Sequence, residues 1–428
     1  MSSSALDRLF ASIFGRSKGP LLRQRALRLD RIERLLDILG HPEQRFLAIQ
    51  IIGTSGKGSV GAMLSSILTN AGIMNGLSTK PFLVAPTEHF RINDQDISAV
   101  KLKNTLLTLR PVVKKATREL RDQPTQFEIL TAAGALLFAE KKVTVGIFES
   151  GLGGKHDAVT ALRTPIKIVT SISLDHLKSL GTTITNITRN KASAIDRGDI
   201  VISSATGLAK RIIERACFHK NASFINASST LCSINTNYRG TSFTWQKNTY
   251  HTNLIGPHQA INASAALATI EHLSSFGISI NRAVIQKGLR EVRWPGRFQT
   301  ISQRPVTILD GAHNPGKIAA LIKTLDALRI PKTRLIAIFT CKETKDARNM
   351  LKILSPRCQS VFLPRILSDE RLIAPETLEH MLSNGQVFPS ISSALTAART
   401  AVEHNGNVIC TGSLRLVGRI MEHEHVKI

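Results

Sequence analysis

The chain has 428 residues, 42% of them hydrophobic, with 56 Lys and Arg against 31 Asp and Glu. That length favours two or three domains, and no run of about twenty apolar, uncharged residues is present, so no membrane span is expected. The net charge of +25 suggests anionic partners, but the basic residues are scattered and only 5% of residues are aromatic, so nucleic-acid binding is not expected. The 5 cysteines lack metal-site spacing and fit a reduced, cytoplasmic setting. Met1 to Lys18 lacks a continuous apolar stretch and makes a poor secretory signal, although its Ser and Arg content leaves a weak transit peptide open.

Leu29 to Gly40 reads as an amphipathic helix closed by glycine, and Phe46 to Ile52 as a buried strand. Gly53-Thr54-Ser55-Gly56-Lys57-Gly58-Ser59 follows, and Val60 to Leu68 has apolar residues at helical spacing. Strand, glycine loop, lysine, hydroxyl and helix is an arrangement that holds nucleotide phosphates, because backbone N–H groups converge on one anion at a helix N-terminus. Gly53, Thr54, Gly56 and Gly58 would form the cradle, Lys57 would reach the β/γ-phosphates and Ser59 would ligate Mg²⁺. Two residues separate Gly53 from Gly56, fewer than in the common phosphate loop, and a plain Gly/Ser turn is the bland alternative.

Ser78 to Ser98, with two prolines, reads as an exposed loop. Phe127 to Glu140 reads as an apolar helix carrying Glu128, which either favours the helix dipole or lies in a site. Val143 to Phe148, Ile166 to Ser173 and Val201 to Ser204 read as strands alternating with helices, which implies a parallel sheet. Glu149 stands at the carboxyl end of the first of these, before Gly151-Leu152-Gly153-Gly154, where open α/β sheets bind ligands. It is suited to Mg²⁺; a solvated acid before a turn is the alternative. His176, after Asp175, falls at the same edge and can complete a metal shell. Lys191 lies on a helix and by itself would be a surface lysine.

Residues 218 to 255 are rich in Asn, Thr and Ser and read as short antiparallel strands, followed by helices near 259–276 and 282–290. Trp294-Pro295-Gly296-Arg297 reads as a linker. Strand candidates at 306–309, 335–340, 360–363 and 408–411 make a second, smaller α/β domain. Asp310-Gly311-Ala312-His313-Asn314-Pro315 is a candidate binding loop, and Thr411-Gly412-Ser413 is either a substrate turn or a plain connection.

These segments, in order over nearly the whole chain, resemble the folylpolyglutamate synthase/dihydrofolate synthase family of the Mur ligase superfamily. The carriers are GTSGKGS, FEILTAAGALLFAEKKVTVGIFESGLGGKHDA, SLDHLKSLG, RNKASAI, GPHQAINASAAL, WPGRF, LDGAHNP and TGSLRLVG. The resemblance implies an α/β fold. A Mur-ligase-type P-loop ATPase domain with a parallel sheet (1–293) would be joined by a linker (294–298) to a smaller Rossmann-like domain (299–428). It implies ATP and Mg²⁺, and a reaction in which a pterin-linked carboxylate is phosphorylated and then captured by the amine of L-glutamate. Glu149, His176 and Ser59 match Mg²⁺ ligands, and Lys191 matches a carbamylated lysine. Asn262, Arg297 and Asp310 match nucleotide contacts from both sides of a cleft, and His313 matches an active-site loop residue. Lys80, Arg91, Glu128 and Asp157 are the candidate contacts to dihydropteroate or folate. The family's Tyr-Thr-Ser-Pro-His loop reads Ser78-Thr79-Lys80-Pro81-Phe82 here, and Ser55 replaces its usual Asn. The expected protein is a cytoplasmic monomer acting on small molecules, without nucleic acid or membrane. A Mur-type ligase for another acid, or a decayed nucleotide-binding relative, are the alternatives.

Overall fold

The computed structural model describes residues 28–366 and 371–426, so the Met1 to Lys18 segment lies outside the described residues. The chain falls into two compact units. One holds the described residues up to Thr230 with Ile261–Glu291, and the other holds Leu231–Ala260 and the residues from Val292 onward.

The first unit is built on eight strands: β1 (Leu47–Ile52), β2 (Asn75–Ser78), β3 (Phe90–Ile92), β4 (Gln95–Asp96), β5 (Val145–Glu149), β6 (Ile166–Val169), β7 (Ile200–Ser203) and β8 (Ser223–Asn226). They form one sheet in the order β4-β3-β2-β5-β1-β6-β7-β8. From β2 to β8 in that order the pairing is parallel, and β3 and β4 add as antiparallel edge strands. β1 and β5 are nearly continuous apolar runs because parallel strands are covered on both faces. The helix Lys57–Asn70 is buried from Ser59 through Leu68, so it presents no polar face. Ser66 Oγ donates to Gly288 O at 2.8 Å, which ties the helix Arg282–Glu291 onto it.

The Ser78 to Ser98 stretch is not the exposed loop its composition suggests. It turns through Pro86–His89 and supplies β3 and β4, with Phe90 fully buried. Strands of two and three residues are too short for period-2 alternation to register. Glu88 fixes the turn by accepting N–H groups from Leu83, Val84 and Ala85 at 2.7, 2.8 and 2.6 Å. Of two helices that sequence periodicity did not single out, Gly207–Lys220 packs on β7 and β8, and Ala99–Leu120 packs on the helices Asp30–Ile38 and Gln126–Glu140.

The second unit contains two sheets. β9 (Cys232–Asn237), β10 (Gly240–Trp245) and β11 (Asn248–Thr252) are antiparallel. β12 (Gln299–Gln303), β13 (Val306–Leu309), β14 (Leu335–Phe339), β15 (Ser360–Pro364), β16 (Gly385–Phe388) and β17 (Asn407–Thr411) form a sheet in the order β12-β13-β17-β14-β15-β16, parallel except for β12. Of the 218–255 segment, β9 to β11 are antiparallel as expected, whereas β8 joins the parallel sheet of the first unit. The three antiparallel strands group with the second unit because β9 packs on the helix Pro315–Ala327. The Tyr238 hydroxyl also reaches Asn407 Oδ1 at 3.4 Å.

Candidate active site

In the first sheet the chain leaves β1 for β2 on one side and later returns to β6 on the other, with β5 between β1 and β2. This reversal opens a crevice at the carboxyl ends of β1, β5 and β6, the position where open parallel sheets take ligands. Three loops meet there. The loop after β1 carries Gly53 to Ser59, the loop after β5 carries Glu149 to Gly154, and the loop after β6 leads to Asp175 and His176.

The loop after β1 runs directly into a helix. Gly56, with φ of 90°, precedes the helix Lys57–Asn70, and no side chain caps the helix N-terminus. A Cβ at Gly56 would collide with Asn262 Oδ1, so only glycine fits the cradle. The loop is braced from the β6 side. Thr54 N–H donates to Ser171 O at 2.8 Å, and Ser173 N–H donates to Thr54 Oγ1 at 3.2 Å. Lys57 Nζ donates to Gly53 O at 3.1 Å and lies 3.6 Å from Glu149 Oε1. The buried Ser55 and Ser173 hydroxyls have no hydrogen-bond partner among the described residues.

This donor set suits a magnesium nucleotide. Mg²⁺ is held by one or two carboxylates together with phosphate oxygens and water rather than by an all-protein cage. Glu149 and the Ser59 hydroxyl are the available oxygens. His176 is exposed, with φ of 52°, and its backbone N–H goes to Asp175 Oδ1 at 2.9 Å.

Lys191, on the helix Ile184–Ala192, is buried and donates to Leu152 O at 2.6 Å. Burial, then repulsion from Lys57, pushes its pKa down to about 7, with Asp157 and Asp175 opposing. Between about pH 7 and the ordinary lysine value the unfolded chain binds more protons than the folded one, so stability rises with pH across that window. We expect Lys191→Met to abolish this rise, which amounts to about 5 kcal/mol at 1.4 kcal/mol per pKa unit. Melting temperatures from pH 6 to 10 check it, and an unchanged slope would show that another group is responsible.

Two candidate substrate residues have structural duties. Glu128 receives Arg31 through hydrogen bonds of 3.1, 2.9 and 3.0 Å and also accepts Thr125 N–H at 2.7 Å. It therefore closes a buried ion pair and caps its own helix. Asp157 holds the glycine loop, accepting N–H groups from Gly153 at 2.8 Å and Val159 at 3.1 Å. Arg91, on β3, pairs with Asp96 at 2.7 Å. Lys80 lies beside the glycine loop with its ammonium 3.7 Å over the Phe127 ring.

In the second unit, Asp310 directly follows β13 and accepts N–H groups from Phe298 at 3.0 Å and Ala312 at 2.9 Å. Burial pushes its pKa up, and Arg297 opposes this. His313 Nδ1–H donates to Gly311 O at 2.7 Å, and its Nε2 faces Lys317 Nζ at 2.9 Å. Burial and Lys317 keep it neutral, well below the usual histidine value. Lys317 was missed from the sequence, although its place one helical turn beyond His313 was a usable signal. His258 was missed too; burial, then Arg297, lowers its pKa to about 4, and its Nδ1 has no partner among the described residues.

The Mur ligase middle domain model matches residues 51–270, and the Mur ligase, glutamate ligase domain model matches 296–414. The dihydrofolate synthase/folylpolyglutamate synthase of Bacillus subtilis is 30% identical over 403 residues, covering 92% of this chain and 94% of that protein. The chain belongs to the folylpolyglutamate synthase/dihydrofolate synthase family. A Mycobacterium tuberculosis folylpolyglutamate synthase complexed with ADP and AMPPCP superposes with a TM-score of 0.88 at 26% identity, covering 98% of this chain and 99% of that one. Escherichia coli FolC in complex with DHPP and ADP gives 0.85 at 26% identity, covering 98% and 97%. The α/β Mur-ligase architecture expected from the resemblance is thus the one observed.

Proposed function

We propose that this protein is an ATP-dependent ligase that joins L-glutamate to dihydropteroate, to a reduced folate, or to both. The observation that carries the reading is Lys57, set beside Glu149 at an uncapped helix N-terminus in a chain of this family. A carboxylate is a poor electrophile, so the acid must first be given a leaving group. Its oxygen attacks the γ-phosphorus of ATP, the bond to the β-phosphate oxygen breaks, and ADP leaves with the electron pair. The glutamate amine then attacks the acyl carbon, the C–O bond to phosphate breaks, and the amine gives up its proton. The protein's share is positioning and charge neutralisation.

Gly53, Thr54, Gly56, Gly58 and Lys57 would hold the β- and γ-phosphates. Glu149 and Ser59, joined by His176, would hold Mg²⁺, which supplies positive charge to the transferring phosphoryl group. Asn262 in the first unit and Arg297, Asp310 and His313 in the second are proposed nucleotide-side residues. Lys191, neutral above about pH 7, is in the form that adds CO₂, giving a carbamate anion and releasing a proton. We assign the protein to the cytoplasm as a monomer that does not bind nucleic acid. All 5 cysteines are free, which supports a reducing compartment.

The deciding experiment supplies ATP, Mg²⁺ and L-glutamate with either dihydropteroate or tetrahydrofolate. The expected result is ADP release with at least one acceptor. Nucleotide binding without turnover on either would sink the folate assignment.

A further inference from the structure

We propose that Lys80 is the receptor for the carboxylate of the acid substrate: its ammonium pairs with that carboxylate and orients it toward the γ-phosphate. The inference rests on the ligase reading above and names how the acid is held.

Lys80 lies in the loop after β2, at the same sheet edge as the phosphate loop. β2 is separated from β1 by β5 alone, and Ser78 is paired with Phe148, the residue before Glu149. Two inter-strand spacings put the loop after β2 about 10 Å from the loop after β1. An anion facing Lys80 would stand beside, and not inside, the cradle formed by Gly53 to Ser59, which is where we place the acid.

The surroundings of the ammonium are unusual for a structural lysine. Among the described residues Lys80 Nζ makes no hydrogen bond and no ion pair, and its recorded contact is the Phe127 face at 3.7 Å. Gly151 allows it to sit there, since a Cβ at that position would stand 2.8 Å from Lys80 Nζ, 2.9 Å from Phe127 Cε1 and 3.2 Å from Asp157 Oδ2. Asp157 forms no ion pair with it, and the Asp157 oxygens accept the backbone N–H groups of Gly153 and Val159. Burial pushes the Lys80 pKa down, with Asp157 and Glu149 opposing and Lys57 adding to the fall. An enclosed ammonium on an aromatic face, short of a partner, is unfavourable without a ligand and favours an arriving carboxylate. Lys57 faces the nucleotide end, and Lys80 faces the acid end.

The test uses the full chain with Mg²⁺ and AMPPCP. Dihydropteroate and its decarboxylated analogue are titrated into wild type, Lys80→Met and Lys80→Arg. Wild type should bind the acid about 30-fold more tightly than the analogue, as a charge-assisted pair allows. Lys80→Met should cut that ratio to about threefold or less, with AMPPCP affinity kept within about twofold, and Lys80→Arg should restore most of the ratio. The ligand-free Lys80→Met protein should also melt higher than wild type, because an unpaired buried cation has gone. An unchanged ratio in Lys80→Met, or a loss confined to AMPPCP, would overturn the proposal. So would a lower melting temperature with unchanged ligand binding. If wild type binds neither pterin, the folate assignment fails. The same comparison is then made with whichever carboxylic acid wild type binds from a panel, and an acid held independently of Lys80, or no acid bound at all, overturns this proposal as well.

Discussion

Lys57→Ala is expected to lower glutamate-dependent ADP release about 1,000-fold, with a melting temperature within about 2 °C of wild type. The large kinetic effect follows from geometry. Lys57 is the first residue of a helix whose N-terminus no side chain caps, and its ammonium stands between Gly53 O and Glu149. No other cation occupies the loop itself, so charge that develops on the transferring phosphoryl group would lose its fixed counter-charge. The small stability effect follows from opposing terms. The Lys57–Glu149 approach of 3.6 Å is long for an ion pair, and Lys57 raises the free energy of protonated Lys191 and Lys80 nearby. Removing it loses one attraction and relieves two repulsions. Full turnover in the variant would remove Lys57 from the phosphate site, and a collapsed melting curve would show that its role is structural.

Glu128→Ala is expected to do the reverse: to destabilise the first unit by about 3 kcal/mol, the usual effect of stranding one partner of a buried pair. Arg31 and Glu128 have side chains 2% and 6% exposed, and Arg31 would lose its bidentate partner while keeping the contact to Asp122 at 2.8 Å. The helix Gln126–Glu140 would also lose half of its capping box. A fall of roughly 6–12 °C in the calorimetric transition should follow, with the KM for the acid substrate unchanged in the protein that remains folded. A stable variant with a raised KM would return Glu128 to the substrate site.

These two residues show what could be read from the chain. Lys57 stood out as a candidate because the pattern behind its proposed role is written locally: strand, glycines, lysine, hydroxyl and helix lie within one short stretch. Glu128 was undecidable, since position on an apolar helix fits a cap or a site equally. The deciding partner, Arg31, is 97 positions away in sequence. Most of the parallel core of both sheets was legible for the same local reason, through continuous apolar runs, but β2, with the sequence Asn-Gly-Leu-Ser, carries no such run and was not. The edges were not. β3, β4, β12 and β16 are short, half-polar or antiparallel additions whose identity depends on what they pair with. The strands β9 to β11 were recognised as antiparallel, but nothing in their composition says which unit they cover. Lys80 was visible as a departure from a family pattern, while its aromatic platform and the glycine that admits it are tertiary facts.

The edge strand β4 carries a further consequence. It is only Gln95 and Asp96, both exposed, where a longer apolar strand would offer a row of free backbone groups. A neighbouring molecule could dock on it by at most a residue or two, against an acidic side chain. Cross-β growth needs a flat template several residues long, and this rim denies one to itself and to its copies in a crowded cell.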